Sequence, residues 1–175
     1  SDFMALKGKR KIVCLTATTA PMAAALDTQC DLWLVGDSLA MTIYGLESTA
    51  EVTVDIMIRH GKAVISRAKT ALVIVDLSAG SYEKRPAQAR YSAQKIIAET
   101  GADGVKLEGG QSMRKQVASL TAAGIPVMGH IGLLPQQVTS PKLFAVVGRT
   151  EESIALLHLD KDCLLYTSPS PRDSI

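Results

Sequence analysis

Five short apolar runs recur along the chain, at residues 12–17 (IVCLTA), 32–35 (LWLV), 71–75 (ALVIV), 104–107 (GVKL) and 126–128 (PVM). A strand with one wet face alternates apolar and polar residues. These runs do not alternate, so they read as parallel strands covered on both faces. Stretches of helical length lie between them. Residues 54–68 follow Thr53, a capping residue type. Residues 86–100 open with Pro86 and stop at Gly101, the residue types favoured at those two ends. Residues 112–123 carry Met113, Val117 and Leu120 at helical spacing and stop at Gly124. A short helix at 21–26 joins the first two strands, and 151–159 begin another. Alternating strands and helices need right-handed crossovers, and so build a parallel α/β sheet.

The bulk properties narrow the functional classes. A chain of 175 residues is about one domain and buries roughly two thirds of its unfolded surface. A net charge of +2 is too small to call for nucleic acid or an anionic membrane. Aromatic residues make up only 4%, too few for base-stacking platforms. No apolar run approaches the ~20 residues of a membrane span. Cys14, Cys30 and Cys163 lack metal-ligand spacing, and three thiols cannot all pair. With no secretory signal at the start, a reducing, cytoplasmic setting is expected.

Polar residues gather at the strand ends. Thr18 and Thr19 come after the first strand, Asp37 and Ser38 after the second, and Asp76 after the third. Lys106 and Glu108 stand at the end of the fourth, and His130 comes after the fifth. In a βα barrel the carboxyl ends of the strands share the face that carries chemistry. In an open sheet they line a crevice instead. Asp37 and Asp76, from separate strands, suit Mg²⁺, a hard cation often held by one or two carboxylates with water and substrate. Glu108 is a candidate third ligand, or the holder of a metal-bound water. Lys106 is a candidate partner for a substrate carboxylate. Each residue also has a plainer reading. Asp37 before Ser38 would cap the next turn, and Asp76 would end a strand as a turn residue. Lys106 and Glu108 would form a solvated pair of little energetic value. His130, a candidate site residue, would be a hydrogen-bonded core histidine. The joint pattern favours a site, because successive strands all end in polar residues. There is no phosphate-binding glycine loop and no Gly-x-Ser-x-Gly elbow.

Six blocks stand in order: Val35-Gly-Asp37-Ser38-Leu-Ala-Met41, Thr49-Ala-Glu-Val-Thr53-Val-Asp55, Val75-Asp76-Leu77, Gly80-Ser-Tyr82, Val105-Lys106-Leu-Glu108-Gly-Gly110 and Gly129-His130-Ile-Gly-Leu133. Over roughly residues 5–160 the chain resembles the ketopantoate hydroxymethyltransferase family. The resemblance implies a (βα)₈ barrel. It implies transfer of a hydroxymethyl group from 5,10-methylenetetrahydrofolate to 3-methyl-2-oxobutanoate, assisted by Mg²⁺. It further implies that Asp37 and Asp76 ligate the metal and Glu108 completes the site. Asp37, Ser38, Asp76 and Lys106 would contact the 2-oxo acid. The family assembles into homo-oligomers.

The match also has gaps. The family's general base is a glutamate on the sixth strand, and only the first five βα units are expected here. A full barrel needs about 250 residues. The sequence therefore reads as an incomplete (βα)₈ barrel over residues 1–162, without a catalytic base of its own. The family has Tyr at Thr18 and Pro-Phe at Ser78-Ala79, and the stretch 142–149 departs from its pattern. Residues 163–175 (CLLYTSPSPRDSI) show no periodicity and resemble a translated sequencing adapter. They are expected to be a disordered, non-native tail. Two other readings stay open. One is a non-catalytic fragment or degenerate copy. The other is a different Mg²⁺-dependent 2-oxo-acid lyase, although the reactive cysteine loop of that group is missing.

Overall fold

A computed structural model of the chain describes residues 3–138 and 145–167. The strands are β1 (Cys14–Thr16), β2 (Leu32–Val35), β3 (Leu72–Asp76), β4 (Gly104–Glu108) and β5 (Val127–His130). The helices are α1 (Ala20–Leu26), α2 (Leu39–Thr42), α3 (Val54–Ile65), α4 (Pro86–Thr100), α5 (Arg114–Ala122) and α6 (Glu151–Thr167). The five strands pair in parallel in chain order, β1-β2-β3-β4-β5, with a helical crossover between each pair. That is the expected architecture: about the first five βα units of a (βα)₈ barrel. Among the described residues, β1 and β5 close the row and each is paired on one side.

Local sequence explains the helices. The Thr53 side chain accepts a hydrogen bond from Ile56 N–H and caps α3. Thr19 does the same for α1 through Met22 N–H. Pro86 starts α4, and Gly101 ends it with a left-handed φ of 79° that a side chain would strain. Gly61 lets α3 approach α4: a Cβ there would lie 3.0 Å from Thr100 Cγ2.

Register sorts the strand residues into two faces. Trp33 pairs with Val73 and Val35 with Val75, Val75 with Val105 and Val105 with Val127, on the face that α3, α4 and α5 cover. With Met57, Val64, Ala93, Ile96, Val117 and Leu120 they form the buried core. The other face points toward the barrel interior. There Leu32 pairs with Leu72, Leu34 with Ile74, and Ile74 with Gly104. Gly104 must lack a side chain, since a Cβ would meet Ile74 Cδ1 at 2.9 Å and Pro126 O at 2.7 Å. An open cavity of about 480 Å³ lies on this face, lined by Phe3, Leu32, Leu72, Ile74 and Met128 among others.

Boundaries differ from the sequence reading in several places. β3 runs one residue further, so that Asp76 ends the strand instead of coming after it, and α3 stops at Ile65 rather than at 68. β1 is only Cys14–Thr16, with Ile12 and Val13 exposed before it. β5 extends to His130, so the histidine ends the strand instead of coming after it. The four-residue helix α2 was not expected. The tail expected to begin without structure at Cys163 does not begin there, because α6 continues to Thr167 and Leu164 packs against the core. Helical hydrogen bonding together with burial of Leu164 extends the structured part past 162. Residues 168–175, and 142–144 of the divergent stretch, lie outside the described residues. Among the described residues, no helix is long and apolar enough to cross a membrane.

Candidate active site

The carboxyl ends of β2, β3, β4 and β5 bring the expected residues together. Gly36 turns the chain out of β2 and leaves room for its neighbours. A Cβ there would stand 3.2 Å from Ser38 Oγ and 3.6 Å from Asp76 Oδ2. Through that gap Asp37 N–H donates to Asp76 Oδ2 at 3.1 Å. Lys106 Nζ donates to Asp76 Oδ1 at 2.7 Å. Asp76 thus holds one partner on each oxygen and is not a turn residue. Lys106 is not a solvated partner of Glu108; it pairs with Asp76 out of water.

The plain capping reading of Asp37 fails on geometry. Ala40 N–H, in the first turn of α2, is taken by the Asp37 carbonyl at 2.9 Å. Ser38 precedes that helix without a side-chain cap bond. The Asp37 carboxylate instead accepts from Gln136 Nε2 at 2.8 Å and is only 4% exposed. Glu108, equally buried, accepts Gln136 N–H on Oε2 at 3.0 Å. Its Oε1 lies 3.2 Å from His130 Nδ1, and among the described residues that nitrogen makes no hydrogen bond. His130 thus lies beside Glu108 at the end of β5 and is not a hydrogen-bonded core histidine through Nδ1.

Electrostatics reflect this crowding. Burial, reinforced by the negative charge of Asp76, pushes the Asp37 carboxyl up to about 6; the Gln136 amide and Lys106 pull it partly back. Burial raises Asp76 too, against the opposing pull of Lys106. Three buried carboxylates face one ammonium, so the mouth is short of positive charge. This donor set fits a hard divalent cation held by two carboxylates, with water and substrate completing its shell. It does not form an all-protein cage. Among the described residues no three His, Cys, Asp or Glu side chains are gathered as a metal cluster. Glu108 Oε2 accepts Gln136 N–H, and its Oε1 has only the nearby His130 ring nitrogen, so both the ligand and the water-holding roles remain open to it.

Sequence reasoning assigned no role to Gln136 or to Tyr82. Gln136 sits in a 3-10 turn, Pro135–Gln137, beyond β5. Tyr82 is buried, its hydroxyl 2.6 Å from Gln136 Oε1. The only signal for Gln136 was its place after a strand that ends in a polar residue. The departures at Thr18 and Ser78 are buried. The Thr18 carbonyl is 2.6 Å from His60 Nδ1, and the Ser78 carbonyl accepts Ser81 N–H at 3.1 Å.

Parallel strands in chain order, with charged side chains gathered at their carboxyl ends, define the class: an incomplete (βα)₈ barrel with a polar mouth. Within that class the chain belongs to the ketopantoate hydroxymethyltransferase family, whose sequence model matches residues 1–164. It is 51% identical over 160 residues to 3-methyl-2-oxobutanoate hydroxymethyltransferase of Rhizobium rhizogenes, covering 91% of this chain and 59% of that relative. The enzyme of the same name from Brucella suis is 49% identical, with 91% and 58% covered. The chain thus spans under two thirds of the length of these relatives. Among solved structures, 2,3-dimethylmalate lyase of the PEP mutase/isocitrate lyase superfamily superposes with a TM-score of 0.57 at 18% identity, covering 91% of this chain and 57% of that one. Phosphonopyruvate hydrolase, solved with oxalate and Mg⁺⁺, gives a TM-score of 0.59 at 15% identity, with 71% and 49% covered. At such identities the structures show the shared fold.

Proposed function

We propose that this chain carries the 2-oxo-acid and Mg²⁺ subsites of a hydroxymethyl transfer from 5,10-methylenetetrahydrofolate to 3-methyl-2-oxobutanoate. The observation behind it is the Asp37–Asp76–Lys106 cluster at the strand ends of a chain in this family. Asp37 and Asp76 would hold the cation, and Glu108 would ligate it or orient one of its waters. When bound there, Mg²⁺ supplies Lewis-acid polarisation of the ketone. Lys106 has three donors and spends one on Asp76. The others are available for the substrate carboxylate. The Ser38 hydroxyl, placed beside Asp37, donates to the same substrate. Transfer also needs a base to take the proton from the branched carbon, a contribution of ~10²–10⁴ in rate. None of the buried carboxylates suits that task while it neutralises a cation. A polypeptide of these 175 residues is therefore expected to bind the oxo acid with Mg²⁺ but to turn over far below a relative with all eight strands.

The test is calorimetry of 3-methyl-2-oxobutanoate with the chain, with and without Mg²⁺. Binding that needs Mg²⁺ and disappears in Asp37→Ala and Asp76→Ala supports the reading. Unchanged binding in both variants refutes it. Hydroxymethyl transfer at a relative's full rate would refute the missing-base argument.

A further inference from the structure

The carboxamide of Gln136 spends every polar atom on the mouth of the sheet. Its Nε2 has two protons. One goes to Asp37 Oδ2 at 2.8 Å and the other to Leu77 O, just past β3, at 2.8 Å. Its Oε1 accepts the Tyr82 hydroxyl at 2.6 Å. Its main-chain N–H donates to Glu108 Oε2 at 3.0 Å. One loop residue thus touches the ends of β2, β3 and β4.

The polarity of this network has a single solution. Turning the amide over would set its oxygen against a carboxylate and a carbonyl, and its NH₂ against the Tyr82 hydroxyl. Tyr82 accepts from Glu108 N–H at 3.1 Å, so its one proton is free to go to Gln136, which is closer than the Glu108 carbonyl at 3.3 Å. Donation therefore runs from Glu108 N–H through Tyr82 and Gln136 to Asp37. It ends on Oδ2. Among the described residues no hydrogen bond is made to Asp37 Oδ1, which leaves that oxygen for a ligand.

We infer that Gln136 is a positioning residue, a staple that fixes which oxygen of Asp37 faces the mouth. The inference rests on the Mg²⁺ and oxo-acid reading of the site. Gln136 touches neither cation nor substrate in this role; it acts through Asp37. Hydrogen bonds to charged groups of this kind are worth about tenfold to hundredfold in an equilibrium.

The test compares the 175-residue chain with Gln136→Met, which keeps length but removes donor and acceptor, and with Gln136→Glu, which sets a second carboxylate against Asp37. Oxo-acid affinity is measured by calorimetry with and without Mg²⁺. Both variants should lose about tenfold to hundredfold of the affinity measured with Mg²⁺, while any weaker binding seen without Mg²⁺ stays within about twofold. Equal losses in both conditions, or none, overturn the inference, since a packing role does not distinguish the cation. Urea unfolding of Asp37→Ala, Gln136→Met and the double variant gives a second readout. Non-additivity is expected; additive losses overturn the staple. If the unaltered chain shows no Mg²⁺-dependent binding, the oxo-acid reading fails, and this unfolding cycle alone decides whether Gln136 holds Asp37.

Discussion

Lys106 Nζ lies 2.7 Å from Asp76 Oδ1, and the two side chains are 12% and 3% exposed. The pair sits on the interior face of adjacent strands, where register places Asp76 directly beside Lys106. Such a pair contributes little net stability when whole, because desolvation offsets attraction. Breaking it is another matter, since the surviving carboxylate stays buried without its ammonium.

Lys106→Met is therefore expected to destabilise the chain by about 3–5 kcal/mol, and Lys106→Met with Asp76→Asn by much less. Urea unfolding of the two variants measures this. Equal losses would mean that the lysine stem, not its charge, supports the fold. In ligand binding, the same lysine predicts that the oxo acid weakens in Lys106→Met while its uncharged methyl ester does not.

Asp27 ties the end of α1 to the start of β3. Its Oδ2 accepts Lys69 N–H at 2.8 Å and Thr70 N–H at 2.9 Å, and its Oδ1 accepts Trp33 Nε1–H at 3.1 Å. Burial pushes this carboxyl up, yet those donors together hold it below the usual carboxylate range. Asp27→Ala leaves several buried donors unpaired and should cost about 3 kcal/mol. Trp33 is the sole tryptophan, so its fluorescence reports the unfolding directly. A loss under about 0.5 kcal/mol, within the range of ordinary surface substitutions, would show that water replaces the carboxylate there.

The sequence made the sheet legible because its central strands are largely buried on both faces, as at Leu32–Val35 and Leu72–Asp76, whereas β1 and β5 are partly exposed. That Asp37, Asp76, Lys106 and Glu108 would come together was legible because each stands at the carboxyl end of a strand, and in a parallel βα fold those ends share one face. Partnership was not. Lys106 pairs with Asp76, thirty positions away, instead of the nearer Glu108. Gln136 meets Asp37 across ninety-nine positions from a turn with no periodic pattern. Local spacing carries no information about such contacts. The length of α6 was hidden differently: its apolar residues surround the helix instead of forming one stripe.

Asp31 gives a pH dependence with a definite sign. Its carboxylate receives Val13 N–H at 2.9 Å and an ion pair from Arg10, anchoring the chain before β1. The Arg10 hydrogen bonds, then Val13 N–H, hold its carboxyl down at about 2. A carboxyl lowered on folding stabilises the fold above its unfolded value near 3.9. That contribution should fade as pH falls from about 4 toward 2. Hydrogen exchange at the Val13 amide should lose protection over that window, and Asp31→Asn should abolish the pH dependence. Val13 protection that stays constant down to pH 2 would contradict this.

The end of α6 rests on a glycine. Gly129 in β5 has no side chain, and Leu164 fills the space, so close that a Cβ on Gly129 would collide with its Cδ1 and Cδ2. Leu164 is partly buried and packs on the core beyond residue 163. Two opposite substitutions test whether that contact holds α6 in place. Leu164→Ala removes apolar surface and should cost about 1–2 kcal/mol, less than a fully buried leucine. Gly129→Val overfills the seat and should cost about 1–3 kcal/mol. Combined, they should cost less than the sum, because the valine occupies room the leucine vacates. Thermal unfolding of the four proteins measures the coupling. Additive losses would mean that α6 does not rest on Gly129. They would also move the end of the folded unit back toward residue 162, where the loss of sequence periodicity had set it.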